Sequence, residues 1–345
     1  MRGSSSRNCK EKHLSDTGMP EYSGQPSIRP EDVLGEFGKG FEMKKAEISV
    51  VIGTYNRKNL LKNCINSIRA NGIGVPYEII VVDGGSNDGT GGWLVRQKDI
   101  ITIIQHNRYE KNGKMVMKKS WGYFMNLGFK VAESDFICML SDDCYVHKDS
   151  IVNGYKLFKN DEGGKIGACA FPFRDSFSED NFKVFKAFGE KILINHGIYR
   201  KDILNSIGWI DEVNYKFYKA DSDLSLKIWE KGYSIVVSKN SLVEHLHHDL
   251  DYMRLVNQVE SEKSDDSIYF NHYWRERFEF PDNQPIFEKE IMTFNVPNKI
   301  GQYHPKNLMF LVQMIERYLK NNIQRESALF SFFKRIKWIS FKNHT

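Results

Sequence analysis

ISVVIGTYNRKNLLKNCINSIRANGIGVPYEIIVVDGGSNDGT, residues 48–90, is the stretch that decides the fold. Ile48-Ser49-Val50-Val51-Ile52 is a short β-rich apolar run closed by Gly53, which reads as a buried strand. Between Asn59 and Ala70, apolar residues fall at 60, 61, 64, 65 and 68, which is helical spacing. Asn71-Gly72 then closes that segment as helices commonly close. Tyr77 to Val82 is a second buried strand, and Asp83 to Thr90 is a loop. Working outward, Gly91 to Gln97 begins a helix, Ile100 to Gln105 is a third strand, Ser120 to Ala132 is helical and Asp135 to Leu140 is a fourth strand. Strand and helix alternate at roughly 30-residue spacing, which predicts an α/β fold with a mostly parallel sheet flanked by helices. In such sheets the ligand crevice lies at the carboxyl ends of the strands. Thr54, Asp83 and Ser141-Asp142-Asp143 follow strands and are therefore the residues to watch.

Beyond this core the pattern loosens. Residues 1–45 are rich in Ser, Gly, Pro, Glu and Lys without periodicity and read as a poorly ordered or loosely docked leader. From Lys165 to Val243 the pattern is mixed, with short strands expected around 166–172 and 234–237 and an amphipathic helix over Asp221–Lys231. After His248 the chain is polar and reads as mostly helical. The expected division is a leader 1–45, a catalytic domain 46–250 and a helical C-terminal extension 251–345.

Composition excludes several classes. With 345 residues, 41% hydrophobic and 13% aromatic, the chain is neither disordered nor collagen-like nor a coiled coil. No apolar run approaches the ~18 residues of a membrane span. The opening MRGSSSRNCKEKHL lacks the apolar stretch of a secretory signal. A net charge of +5 does not argue for nucleic acid. The five cysteines form no CxxC pair and read as free buried thiols of a reducing, cytoplasmic compartment.

Four stretches could carry chemistry. Leu140-Ser141-Asp142-Asp143 sets adjacent carboxylates at a strand end, where a hard divalent cation would relieve their repulsion; a solvated turn or helix cap is the plainer use. VVDGGSNDGT offers glycines that let a ligand approach the backbone, or an ordinary βα turn. It is neither GxGxxG nor a P-loop. Asp221, in YKADSDL, sits at a helix start as a cap or as a general base tuned by burial. VEHLHH (243–248) holds three imidazoles in four positions, as a metal ligand or simply as polar surface.

Taken together, ISVVIGTYNR, VVDGGSNDGT, LSDD, YKADSDLSLKIWEKGY and VEH resemble, in that order, an inverting GT-A glycosyltransferase of glycosyltransferase family 2. Asn126-Leu127-Gly128 and the run from Gly197 through Ile207-Gly208-Trp209-Ile210-Asp211-Glu212 fit the same pattern. The resemblance covers about 47–248 and implies a Rossmann-like GT-A fold. It implies that Thr54, Tyr55, Asn56 and Arg57 cup the donor nucleotide, that Asp83 hydrogen-bonds the base and that Asp142 faces the ribose or sugar. Asp143 and His245 would hold a divalent cation, Mn²⁺ or Mg²⁺, and Asp221 would be the catalytic base. The acceptor side would fall within Lys165–Asp211, with Gly197, Trp209 and, on the base's own helix, Asp223. Two positions depart from the family pattern: Ser141 replaces the first aspartate of the DxD element, and Ala220 replaces the Glu before the base.

The implied function is transfer of a sugar from a nucleoside-diphosphate sugar, a UDP-sugar by resemblance, to a hydroxyl of a glycan or lipid-linked glycan. Ser141 and Ala220 motivate one alternative, a degenerate nucleotide-sugar binder or scaffold. A sugar-phosphate nucleotidyltransferase is another, disfavoured because GTYNR lacks that class's glycine-rich first loop. Residues 327–342 carry a Phe/Leu/Ile stripe with interleaved Lys and Arg, which suits peripheral contact with an anionic membrane surface, packing on the catalytic domain or a homo-oligomer contact.

Overall fold

The structure is a computed structural model, and it describes residues 45–111, 114–175, 181–246 and 260–292. The expected leader, apart from Lys45, and the 327–342 stripe lie outside the described residues, as do His247 and His248.

The chain opens with β1 (Ile48–Thr54), α1 (Lys58–Arg69), β2 (Tyr77–Asp83), α2 (Thr90–Leu94) and β3 (Ile100–Ile104). A hairpin of β4 (Arg108–Lys111) and β5 (Lys114–Met117) follows, then α3 (Trp121–Val131), β6 (Phe136–Ser141), β7 (Cys144–Val146) and α4 (Ser150–Lys159). Next come β8 (Ile166–Ala170), β9 (Phe173–Asp175), β10 (Phe182–Ala187), β11 (Lys191–Leu193) and β12 (Gly197–Arg200). The described part ends with α5 (Lys201–Ser206), α6 (Ala220–Glu230), β13 (Ser234–Val237), β14 (Val243–His245), α7 (Glu260–Arg277) and β15 (Phe287–Met292).

The main sheet has the order β13-β8-β12-β6-β1-β2-β3. It is the mostly parallel α/β sheet expected, with one exception: β12 runs antiparallel to both β6 and β8. β1 lies between β2 and β6, in register Ile48↔Tyr77 and Ser49↔Ile137. Helices cover both faces, so the central strands are apolar throughout. Successive side chains point to opposite faces. Val51, Ile80, Ile137 and Met139 enter one core, with Phe129 of α3. Val50, Ile52, Ile79, Val81, Cys138 and Leu140 enter the other, with Leu61, Cys64, Ile65 and Ile68 of α1. All four cysteines among the described residues are buried and free.

Two of the sequence features acquire structural causes. Asn126 on α3 donates through Nδ2 to the Ile210 carbonyl (2.9 Å) and Glu212 Oε1 (2.8 Å), and its Oδ1 accepts from the Ile210 amide at 3.2 Å. It thereby ties the Gly208–Glu212 turn to α3. Gly197 lies in β12 where a Cβ would come within 2.0 Å of the Cys169 carbonyl oxygen. Gly197→Ala therefore forces two paired strands apart, and urea unfolding should show a loss of at least about 1–3 kcal/mol. Wild-type stability in that variant would contradict the close approach.

A second sheet, β11-β10-β9-β14-β7, adds β15 along β10, in register Ala187↔Phe287. β15 comes from the segment read as mostly helical, in which the described residues hold one helix and one strand. α7 buries Phe270 and Trp274 in the same core as Phe129.

Candidate active site

The carboxyl ends of β1, β2 and β6 open on a cleft of about 620 Å³. Thr54 closes β1, and its Oγ1 donates to Asp142 Oδ2 at 2.8 Å. Arg57 Nη1 donates to Asp142 Oδ1 at 2.9 Å and to Asp143 Oδ2 at 3.1 Å. Asp142 and Asp143 follow β6 and are each only 3 % exposed. Burial pushes the Asp142 carboxyl pKa up, aided by the neighbouring Asp143 charge and opposed by Arg57. Arg57 Nε is buried with no hydrogen-bond partner, although its residue lines the cleft.

The loops after β1 and β2 lock together. Asn56 sits in the left-handed region at φ 53; its amide donates to Ser86 Oγ, and its Oδ1 accepts from the Asn87 amide, both at 2.8 Å. Asp83 Oδ1 accepts from the Ser86 amide (3.0 Å) and hydroxyl (2.6 Å). Tyr55, Gly84, Asn107 and Arg108 form the adjoining wall, with the Arg108 guanidinium 4.5 Å above the Tyr55 ring. Tyr55, with Arg108 over its ring, and the glycine-bordered backbone thus make the polar and aromatic wall at this end of the cleft.

Across from this wall stands His245, at the end of β14. Its Nε2 is 3.4 Å from Asp143 Oδ1 and its Nδ1 2.9 Å from Asp175 Oδ1. Burial lowers the imidazole pKa, but Asp143 and Asp175 outweigh it and raise it to about 10. Lys183 Nζ lies 3.1 Å from the other Asp175 oxygen, and the two cations hold Asp175 below the usual carboxylate range against the opposing effect of burial. His196 behaves oppositely. It is 3 % exposed, its Nε2 lies 3.0 Å from Cys144 Sγ and 3.3 Å from Ser141 Oγ, and burial beside His245 lowers its pKa to about 3.

At the far end, α6 begins after Lys219, held at φ 64, and places Asp221 in its first turn. Asp221 Oδ1 accepts from the Ser222 amide at 2.7 Å, and Oδ2 accepts from Asn195 Nδ2 at 3.2 Å. The carboxylate opens on the cleft, yet burial within the surrounding protein still raises its pKa above the ordinary value, against the pull of Ser222 and Lys219. Ala220, where the family pattern has Glu, is fully buried in the core. The carboxylate instead has its side-chain amide partner on the segment between β11 and β12.

Thr54, Tyr55, Arg57, Asp142, Asp221 and His245 therefore line one cleft, and Asp143 joins them through Arg57 and His245. The other expected site residues do not line it. Asn56 and Asp83 brace the two loops, and Asp83 is fully buried. Gly197 is sheet interior. Trp209 is at φ 67, packed against the core. Asp223 is buried, with Oδ1 accepting from Trp274 Nε1 (2.9 Å) and the Tyr215 hydroxyl (3.1 Å). Sequence reasoning missed Asp175, Asn195, His196, Phe185, Phe217 and Phe287. The Asn195-His196 pair just ahead of a strand was the one local signal.

Among the described residues, no three His, Cys, Asp or Glu side chains close on a metal position. Asp143 and His245 do provide one carboxylate and one imidazole on the cleft's edge. Two such ligands suit a hard divalent ion that takes its remaining oxygens from substrate phosphates and water.

Residues 49–217 match the family model described as glycosyl transferase family 2. This stretch is a family 2 glycosyltransferase domain. Chondroitin synthase of Pasteurella multocida is 28% identical over 104 residues, 29% of this chain and 10% of that protein. The uncharacterized glycosyltransferase YfnE of Bacillus subtilis is 30% identical over 118 residues, 33% of this chain and 27% of that protein. The chain thus spans about a tenth and about a quarter of these two relatives. Among solved structures, TarS 1–349 of S. aureus in complex with UDP-GlcNAc is 17% identical, with a TM-score of 0.48 over 60% of each chain. The matched glycosyltransferase span ends at Phe217, so Asp221, His245 and the C-terminal elements belong to the site by geometry, beyond the family match.

Proposed function

We propose that this glycosyltransferase moves a sugar from a nucleoside-diphosphate sugar, a UDP-sugar, to an acceptor hydroxyl of a glycan, inverting the anomeric carbon. The observation that carries the reading is a single cleft holding the Thr54–Arg57–Asp142 end and, at its other end, the Asp221 carboxylate with a raised pKa. The base and ribose would lie along Tyr55 and Gly84, and the diphosphate would run toward Arg57, Asp143 and His245. Asp143, with His245 as a neutral imidazole, would hold a divalent cation, which would supply positive charge for the departing diphosphate. The Arg57 guanidinium, paired with Asp142 and Asp143, adds positive charge beside the same oxygens.

Asp221 accepts the acceptor's proton as that oxygen attacks C1 from the face opposite the diphosphate. The new C1–O bond forms as the C1–O bond to phosphate breaks, and the nucleoside diphosphate leaves. A single displacement converts an α-linked donor into a β-linked product. Asn195 keeps the Asp221 carboxylate turned toward the cleft, and the left-handed Lys219 sets the start of α6, a strain of order 1–3 kcal/mol that the surrounding packing sustains.

The test is a screen of UDP- and GDP-sugars with Mn²⁺ and a glycan acceptor panel, read by nucleoside diphosphate release and by the anomeric NMR signal of the product. Nucleoside diphosphate release with inversion is expected. Pyrophosphate release would show a nucleotidyltransferase, retention would remove the single displacement, and donor binding without turnover would leave a nucleotide-sugar binder.

A further inference from the structure

The turn that leads into Asp221 is held by a helix beyond the family match. Residues 216–219 are irregular, outside any strand or helix, so no regular ladder of backbone bonds sets their path. One carboxylate does. Asp266 of α7 is 2 % exposed; its Oδ1 accepts from the Lys216 amide (2.9 Å), and its Oδ2 from the Phe217 (2.8 Å) and Tyr218 (2.7 Å) amides. Three successive N–H groups turned toward one anion make a concave backbone nest, and each such bond is stronger than one between neutral groups. The Lys216 carbonyl accepts from the Trp121 amide at the start of α3 (2.8 Å), so the segment is fastened on two sides. Lys219 follows at φ 64, and its carbonyl accepts from the Asp223 amide (2.8 Å), closing the first turn around Asp221.

α7 grips the base's own helix as well. Trp274 Nε1 donates to Asp223 Oδ1 at 2.9 Å, and the Tyr215 hydroxyl donates to the same oxygen at 3.1 Å. Asp266, Phe270 and Trp274 recur every four residues, so they share one face of α7, and none is more than 2 % exposed. That face holds the chain just before Asp221 and just after it.

We infer that Asp266 is a positioning residue for the transfer reaction: from α7 it sets the backbone that carries Asp221, so that the carboxylate meets the acceptor oxygen within reach of its proton. This rests on the reading of Asp221 as the base. Asp266 lies behind the cleft, outside its lining, and acts through Asp221. Packing alone would favour an apolar side chain here, because a buried carboxylate pays a desolvation cost that its amide partners must offset. What the carboxylate adds is a common direction for three peptide groups. Misplacing reacting groups by about 1 Å can cost about 10²-fold in rate, so a small drift of this turn matters even in a folded chain.

A double-mutant cycle on the full chain tests the coupling. Turnover is read as UDP release from UDP-glucose, UDP-galactose and their 2-acetamido counterparts with Mn²⁺ and the glycan acceptor panel, and counted per UDP-binding site by calorimetry. Asp266→Asn keeps one acceptor oxygen and sets an NH₂ group against the remaining amide hydrogens. It should lower turnover about 10–10²-fold while the UDP dissociation constant and the donor KM stay put. Added to Asp221→Asn, it should change turnover less than about twofold, because the group it positions is already gone. Hydrogen exchange should quicken in the peptide spanning 215–222 and stay unchanged at β1 and β2. Trp274→Phe, which removes the donor to Asp223, runs the same cycle should thermal melting show that Asp266→Asn does not fold. The same loss in the Asp221→Asn background as in the wild type, unaltered turnover per UDP-binding site, or unaltered exchange at 215–222 would overturn the proposal. Wild-type turnover in Asp221→Asn alone, or no UDP release from any donor by the wild type, would instead remove the reading of the base or of the reaction, and the proposal with it.

Discussion

Asp221→Asn is expected to bind donor as the wild type does and to lose about 10²–10⁴-fold in turnover, the usual contribution of a positioned general base. The substitution is nearly isosteric. The Asn carboxamide oxygen can still accept the Ser222 amide bond now made by Asp221 Oδ1, so α6 keeps its first turn. What is lost is the ability to take a proton. The Asn195 amide, which now donates to Asp221 Oδ2, would meet an NH₂ group or a rotated carbonyl, a perturbation worth far less than the missing base. The same residue governs the acid side of the pH profile. Burial raises the Asp221 pKa, so the carboxyl stays protonated to a higher pH than an ordinary aspartate, and only the deprotonated form is a base. Turnover in the wild type should therefore decline with falling pH at a point above the usual aspartate range, and Asp221→Asn should abolish that limb. Titration calorimetry with UDP and single-turnover rates across pH check both parts. Wild-type turnover in Asp221→Asn with chemistry rate-limiting would move the base elsewhere.

The parts of this molecule that can be read from local pattern are those whose cause is local. β1, β2 and β6 lie in the middle of the sheet with both faces covered, so their apolar runs are continuous and easily seen. Thr54, Asp142 and Asp143 could be singled out because polar residues directly after such strands lie at the crevice. β15 could not. FEKEIM sets three consecutive charged residues, Glu288 to Glu290, between apolar ones, a pattern without strand periodicity, and it is a strand because it pairs with β10, about a hundred residues earlier in the chain. The β4–β5 hairpin is a short two-stranded element whose strands are four residues each, RYEK and KMVM, too short to show a period. β12 has a readable composition, but its direction depends on β6 and β8. The site divides in the same way. Asp175 reaches His245 across 70 positions and Asp266 reaches Lys216 across 50, so neither is marked in its own neighbourhood. Trp209 lies in the stretch expected on the acceptor side. Its left-handed backbone follows Gly208, also at positive φ, and the ring packs on the core while Phe217 and Phe287 meet the cleft.

Arg57→Ala is expected to be the most destabilising single change at the cleft. The guanidinium side chain is 14% exposed and binds two carboxylates whose side chains are each 4% exposed. Removing it leaves Asp142 and Asp143 adjacent and poorly solvated. Breaking a buried pair by deleting one partner typically costs about 3–5 kcal/mol. The residue also occupies the carboxylates on which a divalent ion would depend, so the loss should be partly recoverable. An ion that binds only the folded chain stabilises it in proportion to the logarithm of its concentration over its dissociation constant, about 2.7 kcal/mol at a hundredfold excess. Mn²⁺ should therefore raise the unfolding midpoint of Arg57→Ala more than that of the wild type, where the guanidinium already offsets the same charge. Arg57→Lys should fall between them, since it restores one positive charge but not the planar fork. Urea unfolding of the three proteins with and without Mn²⁺ reads all of this without any turnover. Equal midpoint shifts in the three would mean that the ion binds away from Asp142 and Asp143, and an unchanged midpoint in Arg57→Ala would mean that water reaches the pair freely once the guanidinium is gone.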